Sequence, residues 1–146
     1  MKVTEHFLKV IVVLNVGGMV DTEWFKDNSK ISASILAWQG GTEGGLATAD
    51  VLCGDVNPSG KLTDTFASSF DDYPSSYNFN ESYDYVDYTE DIYVGYRYFE
   101  TVPKAKEKVN YPFGFGLSYT DFKLSDIKAQ DDGQNITVSL KVTNTG

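Results

Sequence analysis

Cysteine, histidine, basic residues and long apolar runs are all scarce in this chain of 146 residues, and each scarcity excludes something. A single cysteine, Cys53, can form neither an intrachain disulfide nor a cysteine-rich zinc site. Within the apolar stretch Val51-Leu52-Cys53 it is expected to be a small buried hydrophobe, and the lack of disulfides fits a reducing compartment. The one histidine, His6, has no metal-ligand neighbours and is given no role, so no metal or cofactor is expected. Twelve Lys and Arg stand against 21 Asp and Glu, a net charge of −9, which argues against a nucleic-acid binder. The longest apolar run, Val10-Ile11-Val12-Val13-Leu14, is far below the roughly 20 residues of a membrane helix. Glu5, His6 and Lys9 before it and Gly17-Gly18-Met19-Val20-Asp21 after it make a poor signal peptide, so a cytoplasmic location is the expectation.

What is present reads as α/β. Residues 9–16 are expected to form a strand buried on both faces, ended by the glycine turn at Gly17-Gly18. Asp21 is placed to cap a short helix through Trp24 and Phe25, and Ser34-Ile35-Leu36-Ala37-Trp38 forms a second strand. A glycine loop, residues 40–45, leads into a helix over 46–52, with Gly54 at the left-handed C-terminal position. Strand, helix, strand, glycine loop, helix is the order of a doubly wound layer.

Asn57-Pro58-Ser59-Gly60 is a turn, and residues 61–66 are extended. Residues 67–91 are polar and rich in tyrosine. Disordered segments are poor in aromatics, so this stretch is expected to be an ordered loop lying on another surface. After residue 120 the pattern changes to period two. Phe122, Leu124 and Ile127, then residues 136–142, flank the turn Asp131-Asp132-Gly133 as two strands of a β-sandwich. Two strands do not make an independently stable sandwich. Two sequons, at Asn80 and Asn135, carry no weight without evidence of secretion.

Three strings are too specific for ordinary loops: Gly54-Asp55-Val56-Asn57-Pro58-Ser59-Gly60, Val94-Gly95-Tyr96-Arg97-Tyr98-Phe99, and Tyr111-Pro112-Phe113-Gly114-Phe115-Gly116-Leu117-Ser118-Tyr119-Thr120. Together with Ala37-Trp38-Gln39-Gly40-Gly41-Thr42-Glu43-Gly44-Gly45 they resemble, in order, the family 3 glycoside hydrolases. The resemblance implies a (β/α)₈ barrel beside an α/β sandwich, often followed by a fibronectin type III-like module, and removal of terminal β-linked sugars with retention. It implies that residues 1–120 are the C-terminal part of the sandwich domain and 121–146 the start of the fibronectin-like one. Gln39-Gly40 and Thr63-Asp64-Thr65 depart from the family's usual Tyr-Pro and Pro-Val-Thr but keep the turn and strand character.

A retaining glycosidase needs two carboxyl groups about 5–5.5 Å apart. The resemblance puts the nucleophile in a Ser-Asp-Trp-like barrel motif and the acid/base glutamate upstream of the strand at residue 9; neither motif occurs in the 146 residues, nor does the barrel's Lys-His pair. No catalytic residue is therefore assigned. Glu43 sits where a helix dipole lowers a carboxyl pKa, the wrong direction for a general acid, and is read as structural. The carboxylates from Asp71 to Asp91 are read as a solvated or interdomain face. Arg97 is expected to be partly buried, stacked or paired with an acid. Trp38 and Tyr119 are read as packing residues rather than sugar-stacking ones. The spacing of the glycine loop matches no phosphate-binding motif, and no Lys follows it, so no nucleotide is expected there.

The expected function is thus a fragment of a β-glucosidase-type hydrolase, inactive alone, acting on β-glucosides or oligosaccharides only within a complete enzyme and associating with a barrel domain. The alternative is a non-enzymatic carbohydrate-binding or interdomain module, with Tyr83, Tyr85 and Tyr88 as its platform.

Overall fold

The computed structural model describes residues 2–146. After a one-turn helix α1 (Val3–His6), β1 (Ile11–Leu14) and β2 (Ala33–Leu36) pair in parallel, with Val12 opposite Ser34 and Leu14 opposite Leu36. The connection carries helix α2 (Glu23–Lys26), whose N-cap position is Thr22 and not the expected Asp21; Asp21 lies one residue outside, and its carboxylate accepts the Glu23 N–H at 2.9 Å. Helix α3 (Gly44–Cys53) follows, and Gly54 ends it at φ 83° with its N–H on the Asp50 and Val51 carbonyls. That conformation costs a Cβ-bearing residue energy and glycine little.

The middle of the chain holds the core. Strand β3 (Phe66–Ala67) pairs antiparallel with β4 (Val109–Tyr111), and helix α4 (Tyr96–Thr101) packs Phe99 beside Ala67 and Ala105. Tyr73, Tyr98, Val102 and Val109 close around them. Asn110 ties this unit to α2: its amide donates to Thr22 Oγ1 and Glu23 Oε1, and its carbonyl accepts from Lys26 Nζ and Ser68 Oγ. The chain ends in a long antiparallel hairpin, β5 (Phe122–Asp131) and β6 (Ile136–Asn144). Its turn is built by Asp131 and Asp132, whose carboxylates accept the N–H groups of Gly133, Gln134 and Asn135.

Several expectations are corrected. The first strand is four residues, not eight, and it is covered on one face only: Val10 and Val12 are buried while Ile11 and Val13 lie 49% and 40% exposed. β1 has one strand neighbour, and among the described residues the face carrying Ile11 and Val13 stays open. Cys53 is exposed rather than buried, at the C-terminal end of α3. Residues 61–65 form no strand, although Leu62 exchanges backbone hydrogen bonds with Gly114 and Phe115.

The hairpin alternates as the sequence requires. Phe122, Leu124, Val138, Leu140 and Val142 share one face and Lys123, Ser125, Lys141 and Thr143 the other, with a bulge between Ser125 and Lys128 where Asp126 takes φ 55°. Every apolar residue named on that face is exposed. The chain as a whole exposes 11252 Å². A compact monomer of 16.2 kDa would expose about 7,500 Å².

Candidate functional site

In an open α/β layer, ligands gather beyond the carboxyl ends of parallel strands. Here that position holds a crevice of about 450 Å³, between the ends of β1 and β2 and the first turn of α3. Val13, Asn15, Trp38 and Gln39 contribute from the strand side, Gly44 and Thr48 from the helix. None of the side chains lining it is titratable. The crevice can accept polar, uncharged groups beside the start of α3, but its side chains supply no general acid or base for hydrolysis.

Glu43 precedes α3 and is exposed; its side chain makes no capping hydrogen bond. Trp38 lies half-buried at φ 51°, tilted against Phe66 with ring centroids 6.4 Å apart, which agrees with a packing role. Tyr119 is exposed, yet its hydroxyl donates to the Val51 carbonyl at 2.8 Å and so fastens the tail to α3. His6 lies in α1, and no group of three or more His, Cys, Asp and Glu able to hold a metal exists among the described residues.

The acidic residues of the loop divide into two kinds. Asp72 bonds Lys108 Nζ at 2.8 Å and the Ser69 N–H at 3.1 Å, and Glu90 accepts from Ser75 Oγ at 2.5 Å and the Gly95 N–H at 3.3 Å. These are local pins. Hydrogen bonding to Asp72, with its charge, holds the Lys108 ammonium pKa above the usual value. The carboxylates of Asp84, Asp87 and Asp91 accept no hydrogen bond among the described residues.

Arg97 departs from expectation. It is exposed, its Nη1 reaches the Ile92 carbonyl at 3.4 Å, and its guanidinium carbon lies 5.9 Å from the Tyr96 ring centroid. No carboxylate pairs with it among the described residues. The start of α4 turns the Arg97 side chain outward while Phe99, two residues on, takes the buried position. The stacked part of the expectation stands; the burial and the acid partner do not.

What the structure does bring together is the three motif strings. Asn57 exchanges hydrogen bonds with Ser118 Oγ at 2.9 and 3.1 Å and accepts the Tyr119 N–H at 2.7 Å. Lys61 Nζ donates to the Gly116 carbonyl, and a Cβ on Gly116 would overlap the Gly60 carbonyl oxygen. Tyr96 stacks on Phe113 at 4.6 Å. The dense glycines and aromatics therefore build a joint between distant parts of the chain. Sequence reasoning placed Asn57 in a turn without foreseeing its bonds to Ser118 and Tyr119, and it missed Asn78 and Asn110, which fasten the 78–89 loop and tie β4 to α2, since a lone asparagine carries no pattern.

Residues 1–119 match the model of the glycosyl hydrolase family 3 C-terminal domain. The chain is 60% identical over 159 aligned residues to beta-glucosidase A of Butyrivibrio fibrisolvens, covering 99% of this chain and 19% of that protein. It is 47% identical to a beta-glucosidase of Ruminococcus albus, covering 99% and 15%. A crystal structure of a beta-glucosidase from Paenibacillus barengoltzii superposes with a TM-score of 0.86 at 49% identity, over 99% of this chain and 16% of that one. The chain spans less than a fifth of the length of these relatives.

Proposed function

Because this chain belongs to glycosyl hydrolase family 3, as part of its C-terminal domain, we propose that it is a structural segment of a retaining, exo-acting β-glucosidase and is catalytically incomplete by itself. The observation that carries the reading is the crevice at the strand ends, placed where an α/β layer receives a ligand yet lined by no titratable group. A segment of this kind shapes and closes a site whose nucleophile and acid/base are elsewhere. That these relatives are beta-glucosidases supports β-glucosides as the substrate class.

In this reading residues 1–120 are the C-terminal part of the sandwich domain, and the hairpin of β5 and β6 opens a fibronectin type III-like module over 121–146. The uncovered apolar face of the hairpin is what such a module buries against its second sheet. Substrate and barrel domain are partners only within the complete enzyme.

A chimera tests this. The matching segment of the Butyrivibrio fibrisolvens beta-glucosidase A is replaced by these 146 residues, and release of 4-nitrophenol from the aryl β-glucoside is measured. The chimera is expected to hydrolyse it, and the purified chain alone to show no turnover above buffer. Turnover by the chain alone, or a folded but inactive chimera, would overturn the proposal.

A further inference from the structure

We infer that the loop around Tyr83–Tyr88 is a binding face for neutral oligosaccharides, on which tyrosine rings stack against sugar C–H faces while Asp84, Asp87 and Asp91 accept hydrogen bonds from hydroxyls. Tyr83 is 107% exposed and Tyr88 89%, and no aromatic ring packs on either among the described residues. Such rings are rigid, amphipathic contact area that costs little side-chain entropy to use.

The loop that carries them is built rather than loose. Asn78 is 1% exposed; its amide donates to the Asp87 carbonyl at 3.0 Å and its carbonyl accepts from Thr89 Oγ1 at 3.4 Å. Glu90 clamps the far end through Ser75 and Gly95. A cavity of about 270 Å³ opens inside this frame, lined in part by Phe79, Val86, Tyr88 and Val94, with Asp87 and Asp91 at its polar side. Asp91 stands at φ 46°, a conformation uncommon outside glycine, next to that cavity. A mostly apolar hollow with a few polar groups is the usual make-up of a small-ligand site, and a frame set in advance lowers the cost of binding.

Two other occupants fit less well. The centre of a protein interface is depleted of charge, whereas here Asp84 and Asp87 alternate with the tyrosines. The hairpin's uncharged apolar face has the make-up suited to protein. Anionic polymers are repelled by the free carboxylates and by the overall charge of −9. Neutral, hydroxyl-rich rings satisfy both the aromatic and the carboxylate groups.

The inference does not require hydrolysis, although the choice of a β-linked probe rests on the β-glucosidase reading. The full chain is titrated with cellotriose and with maltotriose by calorimetry and by amide chemical shifts. Saturable binding in roughly the millimolar range is expected for at least one of them. The double variant Tyr83→Ala/Tyr88→Ala should weaken it about tenfold or more, and Tyr119→Phe less than about twofold. Both tyrosines are exposed, so the variants should keep the dispersed amide spectrum of the parent. No saturable shift up to about 50 mM of either sugar, or binding untouched by the double variant, overturns the inference. So does loss of self-association in the double variant without sugar binding in the parent, which would give the face to a protein contact. Binding of maltotriose alone would leave this face standing while counting against the β-linked preference, and an inactive chimera would not touch it.

Discussion

Replacing Tyr73 by phenylalanine deletes one oxygen from the centre of the folded unit. The phenol donates to the Thr65 carbonyl at 2.9 Å and accepts the Ala67 N–H at 2.9 Å, while its ring meets Phe99 edge-on with centroids 5.7 Å apart. The ladder of β3 and β4 shifts register between Phe66 and Ala67, and the phenol takes up the Ala67 N–H there. Thr65 and Ala67 are both buried. Without the oxygen, one donor and one acceptor lose their partner, at a cost of about 1–3 kcal/mol for a fully buried group. The Tyr73 side chain is only half-buried, so some water reaches the gap and a total of about 2 kcal/mol is expected. That corresponds to about a 30-fold fall in hydrogen-exchange protection of the Ala67 amide, with little change at Leu14 on the other sheet. Protection at Ala67 within about twofold of the parent would show that the oxygen does not hold this junction.

The same residue sets an alkaline limit. Burial, foremost, raises the Tyr73 pKa above 10.0, with Asp64 and Asp72 adding to it against the opposing Ala67 hydrogen bond; burial likewise raises Tyr111. A raised folded-state pKa means that the native state binds the proton more tightly. This stabilisation is complete below pH 10 and disappears as pH climbs through the raised values, so melting temperature should fall above about pH 10 and fall less steeply in Tyr73→Phe. Asn57→Ala removes the bonds to Ser118 and the Tyr119 N–H and should cost about 1–2 kcal/mol, read as faster exchange at Tyr119. Gly116→Ala drives a methyl onto the Gly60 carbonyl and should detach residues 112–120 from the turn at 57–60, seen as proteolytic nicking after Phe113 or Phe115.

The sequence disclosed local grammar well and layers poorly. Gly54 and the Asp131-Asp132-Gly133 turn could be placed because each answers a backbone need that is settled within a few residues. Period-two alternation likewise foretold the hairpin. Burial was read wrongly at Ile11, Val13 and Cys53, because an apolar side chain states what it would prefer to meet and not whether a second layer is there to meet it. Arg97 failed for a related reason: its aromatic neighbours in sequence suggested partial burial, but α4 turns them to different sides.

Surface area connects these failures. At 11252 Å², the chain exposes some 3,700 Å² more than a compact monomer of its mass should. A standard interface covers only about 800 Å² of each partner, so one modest contact would leave most of the excess bare. Part of the excess lies where the sequence calls for burial, on the outer face of β1 and the apolar face of β5 and β6. At roughly 25 cal/mol per Å² of apolar surface, faces of this size drive association strongly whenever a match is available. The isolated chain should therefore bind a hydrophobic dye and sediment with a mass that rises with concentration. Leu140→Lys and Val142→Lys, on one face of β6, should lower both without disturbing β3 and β4. A monomer that melts sharply at a temperature independent of concentration, and leaves the dye dark, would mean that these faces are stable in water and that the excess has no bearing on how the chain is used.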